Sequence, residues 1–135
     1  MNKIDHVGIA VKDIEKAKEV YTTLLNTSPY KEEIVEEQGV KVAFFKNGDT
    51  KVELLEGTSP ESAIAKFVAK RGEGVHHIAY SVTNISQEIE RLSNEGYKLI
   101  DDKPRKGADN KLVAFVHPKS CNGVLIELCE PSIKR

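Results

Sequence analysis

The chain has 135 residues, 39% of them hydrophobic, and sets 20 Lys and Arg against 21 Asp and Glu. The net charge of −1 provides no global field to draw in nucleic acid or an anionic membrane, so an anionic ligand has to be met locally. No apolar run approaches the ~20 residues that span a bilayer, the start MNKIDHVGIA lacks an apolar segment with a cleavage site, and the length suits one core built without disulfides; the expectation is a cytoplasmic, single-domain protein over 1–135.

In chain order, IDHVGIA (4–10) alternates as a strand does. The period changes at KDIEKAKEVYTTLL (12–25), where apolar residues recur at three and four, predicting an amphipathic helix capped by Asp13. VKVAFFKNGDTKVELLEG (40–57) reads as two β-rich runs around a hairpin turn, KNGD. Residues 58–72 form a connector with a short helix begun by Ser59 and Pro60. EGVHHIAYSV (73–82) is the next strand, and TNISQEIERLSNEG (83–96) the next helix, capped by Asn84. KLVAFVHPKSCNGVLIELCE (111–130) closes the chain with two more β-rich runs around the turn signal CNG.

The second half repeats the first. Residues 4–21 lie over 75–92 at a constant offset of 71 without a gap, and VELLE (52–56) lies over IELCE (126–130). Two βαβββ modules follow, about 1–57 and 73–131, in the α+β class. Successive strand residues face opposite ways, so His76 and His77 must separate. His77 is the one in phase with His6, and Glu127 is in phase with Glu53.

Singly, each of these four has an ordinary explanation: a histidine hydrogen-bonded on a half-buried strand, a glutamate at a sheet edge. Alternation, however, puts Glu53 on one face with Leu55, so a carboxylate shares an apolar face and needs a partner if that face is covered. The same two residue types at the same register of both modules point to one shared metal site. Two imidazoles and two carboxylates suit a borderline divalent ion such as Mn, Fe, Co, Ni or Zn, and leave positions open for a chelating substrate.

The strands DHVGIAV and HHIAYSV, the loop EEQGV, VELLE, GADNKLVAFVHP and NGVLIELCE together resemble the methylmalonyl-CoA epimerases, within the vicinal oxygen chelate superfamily that includes glyoxalase I. The resemblance covers nearly the whole chain. It implies a cup-shaped, eight-stranded mixed sheet around one divalent metal held by His6, Glu53, His77 and Glu127, with Glu37 of EEQGV a carboxylate near the substrate. It implies a homodimer that removes the C2 proton of methylmalonyl-CoA and returns one on the opposite face, with Glu37 and Glu127 as base and acid. The position of Glu53 varies in that family between Glu and Gln, and Glu is what glyoxalase I enzymes often carry.

Glyoxalase I, acting on the hemithioacetal of methylglyoxal and glutathione, is therefore the alternative. A metal-dependent dioxygenase ordinarily uses two His and one carboxylate, and a second carboxylate fills a position it needs. A non-catalytic binding protein of this fold need not keep the four ligands. Neither a GxSxG elbow nor a Gly-rich strand-to-helix turn is present, which disfavours hydrolase and nucleotide folds.

DDKPRKGADNK (101–111) carries Lys103, Arg105, Lys106 and Lys111, either contacting CoA phosphates or forming a solvated loop balanced by Asp101, Asp102 and Asp109. His76 is expected to pack against a helix or to be hydrogen-bonded, and His117, before Pro118, to serve a turn. Cys121 and Cys129 form no CxxC pair and are expected as free thiols, with no partner that would activate either. The apolar face of SAIAKFVAK (62–70) suits either a dimer contact or packing on its own sheet.

Overall fold

The computed structural model describes residues 1–131. The elements are β1 (Lys3–Ala10), α1 (Ile14–Leu25), β2 (Lys31–Val35), β3 (Val40–Asn47), β4 (Thr50–Gly57), α2 (Ala63–Arg71), β5 (Gly74–Ser81), α3 (Ile85–Asn94), β6 (Arg105–Lys106), β7 (Lys111–Val116) and β8 (Ile126–Pro131). The pattern is βαβββ twice, with α2 between, in the α+β class. Two compact units divide the described chain: His6–His76, and Met1–Asp5 with the described residues from His77 onward. In an eight-stranded mixed sheet the first unit contributes the order β2-β3-β4-β1 and the second β5-β8-β7-β6. β1 runs parallel to β4 and β5 parallel to β8, while β2–β3, β3–β4, β6–β7 and β7–β8 are antiparallel. No described helix is long and apolar enough to cross a membrane.

Each helix starts and packs as its sequence dictates. Asp13 accepts from the backbone N–H groups of Glu15 and Lys16 at 3.0 and 3.3 Å, and Asn84 from that of Gln87 at 3.1 Å, satisfying donors that have no intrahelical acceptor. Ile14, Ala17, Tyr21 and Leu25, spaced three and four apart, pack on Ala43, Phe45, Val52 and Leu54. Ile85, Ile89 and Leu92 of α3 pack on Ala114, Val116 and Leu128. Fully burying a side chain of this size stabilises by about 1.5–3 kcal/mol, so these two clusters dominate each unit's stability.

A second device recurs in both units. A carboxylate oxygen of Glu56, near the end of β4, accepts from the Ile14 N–H at 2.8 Å, and one of Glu130, near the end of β8, accepts from the Ile85 N–H at 2.8 Å. Each closing strand thereby fastens the first turn of its own unit's helix through a charge-assisted bond, and the carboxylate also complements the positive end of the helix dipole.

Two connections depart from the sequence reading. The connector helix begins at Ala63, not at Ser59 and Pro60, because Ser62 is the residue whose hydroxyl accepts from the Ala65 N–H at 3.1 Å, while Ser59 closes the preceding turn. The KNGD signal does make a tight hairpin, with Asn47 opposite Thr50 and Gly48 at φ +66°. CNG does not. Asn122 and Gly123 take positive φ, as their residue types favour, but within a longer connection that includes a 3-10 turn at Pro118–Ser120.

Gly57 is fixed by close packing. A Cβ there would overlap the Ser62 hydroxyl and lie 2.9 Å from the Ala65 backbone nitrogen and Cβ. Gly57→Ala is expected to displace the α2 cap and destabilise the protein by about 1–3 kcal/mol in urea denaturation. Glu56→Ala is expected to cost about 1–3 kcal/mol by stranding the Ile14 N–H, whereas Glu19→Ala on the exposed face of α1 should stay within about 0.5 kcal/mol.

Candidate metal centre

In the first unit, the parallel register of β1 and β4 sets Gly8 beside Glu53. His6, two residues before Gly8, is on the same face, and its Nδ1 lies 3.2 Å from Glu53 Oε2. In the second unit the register sets Ala79 beside Glu127. His77, two residues before Ala79, brings its Nε2 to 2.8 Å from Glu127 Oε1. The two pairs are built by one geometric rule: a histidine, a small residue two positions on, and a carboxylate on the parallel neighbour.

All four side chains are buried, with His6 at 3%, Glu53 at 4%, His77 at 5% and Glu127 at 6% exposure. A carboxylate removed from water is costly unless a cation or hydrogen-bond donor compensates it. An imidazole can supply an N–H to that carboxylate, or the two can turn their lone pairs to a common cation. Each pair therefore fits the expected divalent ion in donor chemistry, nitrogen beside oxygen, and in burial. The His77 ring is further held by an edge-on contact with Phe115, centroids 5.7 Å apart, and Phe115 is the cross-strand partner of Glu127.

The structure thus brings His6 to Glu53 and His77 to Glu127. Glu37 sits on the 3-10 turn Glu36–Gln38 between β2 and β3, with its side chain exposed. His76 packs edge-on against Phe67 of α2 at 4.9 Å, and His117 Nδ1 accepts from the Lys119 N–H at 3.0 Å, the structural roles expected of them. Cys121 and Cys129 are not joined in a disulfide. Cys129 is buried, and burial pushes the Cys121 thiol above its usual range, which leaves less of the nucleophilic thiolate.

The basic loop resolves into separate roles. Lys111 is 7% exposed and its ammonium lies 2.6 Å from the Asp5 carboxylate, so it belongs to a buried ion pair and not to a solvated loop. Arg105 lies with its guanidinium 5.7 Å over the Phe115 ring, and its Nε donates to Asp101 Oδ1 at 3.1 Å. Sequence reasoning did not find the Asp5–Lys111 pair, whose members are 106 residues apart. Nor did it find Phe115, although the alternation of KLVAFV sets Phe115 in phase with Lys111 and Val113.

Residues 5–115 match the model of the Glyoxalase/Bleomycin resistance protein/Dioxygenase superfamily. The chain is 45% identical over 131 residues to "Uncharacterized protein YqjC" of Bacillus subtilis, covering 97% of this chain and 94% of that one. It is 38% identical over 129 residues to the mitochondrial methylmalonyl-CoA epimerase of Homo sapiens, covering 95% of this chain and 73% of the relative. Among solved structures, a Streptomyces coelicolor methylmalonyl-CoA epimerase variant in complex with 2-nitronate-propionyl-CoA superposes with a TM-score of 0.93 at 35% identity, covering 98% of this chain and 96% of that chain. The chain therefore belongs to the Glyoxalase/Bleomycin resistance protein/Dioxygenase superfamily and, within it, to the family that contains the methylmalonyl-CoA epimerases.

Proposed function

We propose that the chain is a metal-dependent isomerase that epimerises methylmalonyl-CoA at C2. The observation that carries this is the pair of buried His–carboxylate contacts, built at the same register in both units, in a chain similar to epimerases over nearly its whole length. His6, Glu53, His77 and Glu127 would together hold one divalent ion, Co, Mn, Ni, Zn or Fe. When bound, such an ion supplies Lewis-acid stabilisation of negative charge on oxygen.

The chain's own part of the chemistry is proton transfer. The C2 hydrogen lies between a thioester carbonyl and a carboxylate, and a carboxylate base removes it while the C–H electron pair moves into the thioester carbonyl as an enolate. A carboxylic acid on the other face then returns a proton to C2, giving the epimer with no net change in protons or electrons. Glu37 and Glu127 are the two groups assigned to these steps. Burial of Glu127 and its 2.8 Å contact with His77 hold that carboxylate in one orientation and keep bulk water from it. Glu37, on an exposed turn, is the member reached from solvent.

The reading includes a cytoplasmic homodimer. The apolar face of α2 is occupied within its own unit, where Ile64 is buried and Phe67 meets His76. Val20 and Leu24, 59% and 68% exposed one turn apart on α1, are among the apolar side chains left open on the surface.

The test is exchange of the C2 proton of methylmalonyl-CoA in D₂O by Co²⁺-loaded protein, followed by NMR. Exchange is expected, and Glu37→Gln should slow it about 100-fold or more. Full exchange in Glu37→Gln would remove that residue from the mechanism. Turnover of the methylglyoxal–glutathione hemithioacetal alone would make the protein a glyoxalase I, the reading that Glu at position 53 favours. Equilibrium dialysis is expected to show one ion per chain, with His6→Ala and His77→Ala each weakening binding by about 10-fold or more; retention of tight binding by either variant would dissolve the four-ligand set.

A further inference from the structure

Arg105 of β6 is opposite Val113 of β7, so it projects from the same face as Val113 and Phe115. That is also the face of Glu127, the cross-strand partner of Phe115, and of His77. The contacts form a continuous line: the guanidinium 5.7 Å over the Phe115 ring, that ring 5.7 Å and edge-on to His77, and His77 2.8 Å from Glu127. Asp101 sets the Arg105 geometry from below. Its Oδ2 accepts from the Phe115 N–H at 2.8 Å while its Oδ1 accepts from Arg105 Nε at 3.1 Å, so one carboxylate ties the cation to the strand that carries the ring.

This arrangement does more than neutralise a loop. The Asp101 side chain is 16% exposed, while Arg105 keeps 41% of its side chain open to solvent. A guanidinium fixed at Nε and backed by an aromatic face is preorganised for bidentate contact with a carboxylate or phosphate. The other cations on paired positions of this loop are placed differently. Lys111 is buried on Asp5, and Lys106, opposite Leu112, projects from the other face of the sheet.

We infer that Arg105 is a substrate-binding residue whose guanidinium grips an anionic oxygen pair of the acyl-CoA thioester, with Asp101 as its positioning residue. The inference rests on the acyl-CoA reading above and adds to it the residue that recognises the substrate's charge. The anionic group is either a phosphate of the CoA moiety or the malonyl carboxylate, and a phosphate-free substrate separates the two.

The experiment compares wild type, Arg105→Ala, Arg105→Lys and Asp101→Asn on methylmalonyl-CoA and on the pantetheine thioester of methylmalonate, with thioester binding also measured by calorimetry. Arg105→Ala is expected to raise KM for methylmalonyl-CoA about 10- to 100-fold, the range for losing one charge-assisted contact, with kcat changed less than about threefold. Arg105→Lys should recover part of the loss, and Asp101→Asn should give a smaller rise of the same kind. An effect confined to the CoA thioester supports a phosphate contact, and an equal effect on both thioesters supports a contact to the malonyl carboxylate. Unchanged KM and binding for both thioesters in an Arg105→Ala protein with wild-type thermal unfolding would overturn the inference alone. A wild-type protein that binds neither thioester would overturn the acyl-CoA reading and the inference with it.

Discussion

The parallel pairing of the first and last strand of each unit is the constraint from which the rest follows. Parallel neighbours cannot be joined by a short turn, so each unit must route its chain through a helix and two further strands before the closing strand returns beside the opening one. That return sets Gly8 beside Glu53 and Ala79 beside Glu127. With the register fixed, the period of two puts the histidines at positions 6 and 77 on the carboxylate's face. A slip of one residue in either pairing would turn the carboxylate toward the helix-packed face and the pair would be lost.

Holding the register therefore matters more than any single contact within the site. On the opposite face Leu54 and Leu128, each next to a site glutamate, are buried without exposure in the clusters that seat α1 and α3. A slip would exchange a leucine for a glutamate in an apolar cluster, a change costing several kcal/mol. Glu56 and Glu130 add a polar lock, since each reaches the first turn of its own helix only when the closing strand is in register. The hydrophobic core and the helix caps thus act as the register device for a polar site that contributes little net stability itself.

Much of this was legible in the sequence because it depends on local period and on repetition. The strand-to-helix switches at Asp13 and Asn84 follow from capping chemistry, and the in-phase positions of His6, Glu53, His77 and Glu127 follow from laying one half over the other. What could not be read depends on contacts between residues distant in sequence. Lys111 looks like one of four loop cations until the fold sets it on Asp5, and nothing in the local pattern distinguishes it from Lys106. Ser62 rather than Ser59 caps α2 because Gly57 allows the chain to approach that closely, a steric fact with no periodic signature. Within CNG, Asn122 and Gly123 behaved as their types demand, yet the distance to be bridged between β7 and β8 was set by the 3-10 turn before them.

Duplication also explains where asymmetry had to arise. Phe44 is the partner of Glu53 as Phe115 is of Glu127, and each ring has a cation 5.7 Å from its centroid, Lys31 in the first unit and Arg105 in the second. The two cations are anchored differently. Lys31 is on β2, five residues long, and lies 3.5 Å from Glu33, whereas Arg105 is on the two-residue β6 and is tied by Asp101 to the backbone of Phe115. A site repeated twice is suited to a symmetric cation, but the proposed substrate, an acyl-CoA thioester, has two unlike ends and needs unlike groups to orient it. The shared core strands keep the duplicate pairs, and the segments where the repeat is weakest, around β2 and β6, are where Glu37 and Arg105 stand. A change in these segments leaves the register of the closing strands intact, so groups that orient an asymmetric substrate can differ there without loss of the paired histidines and carboxylates.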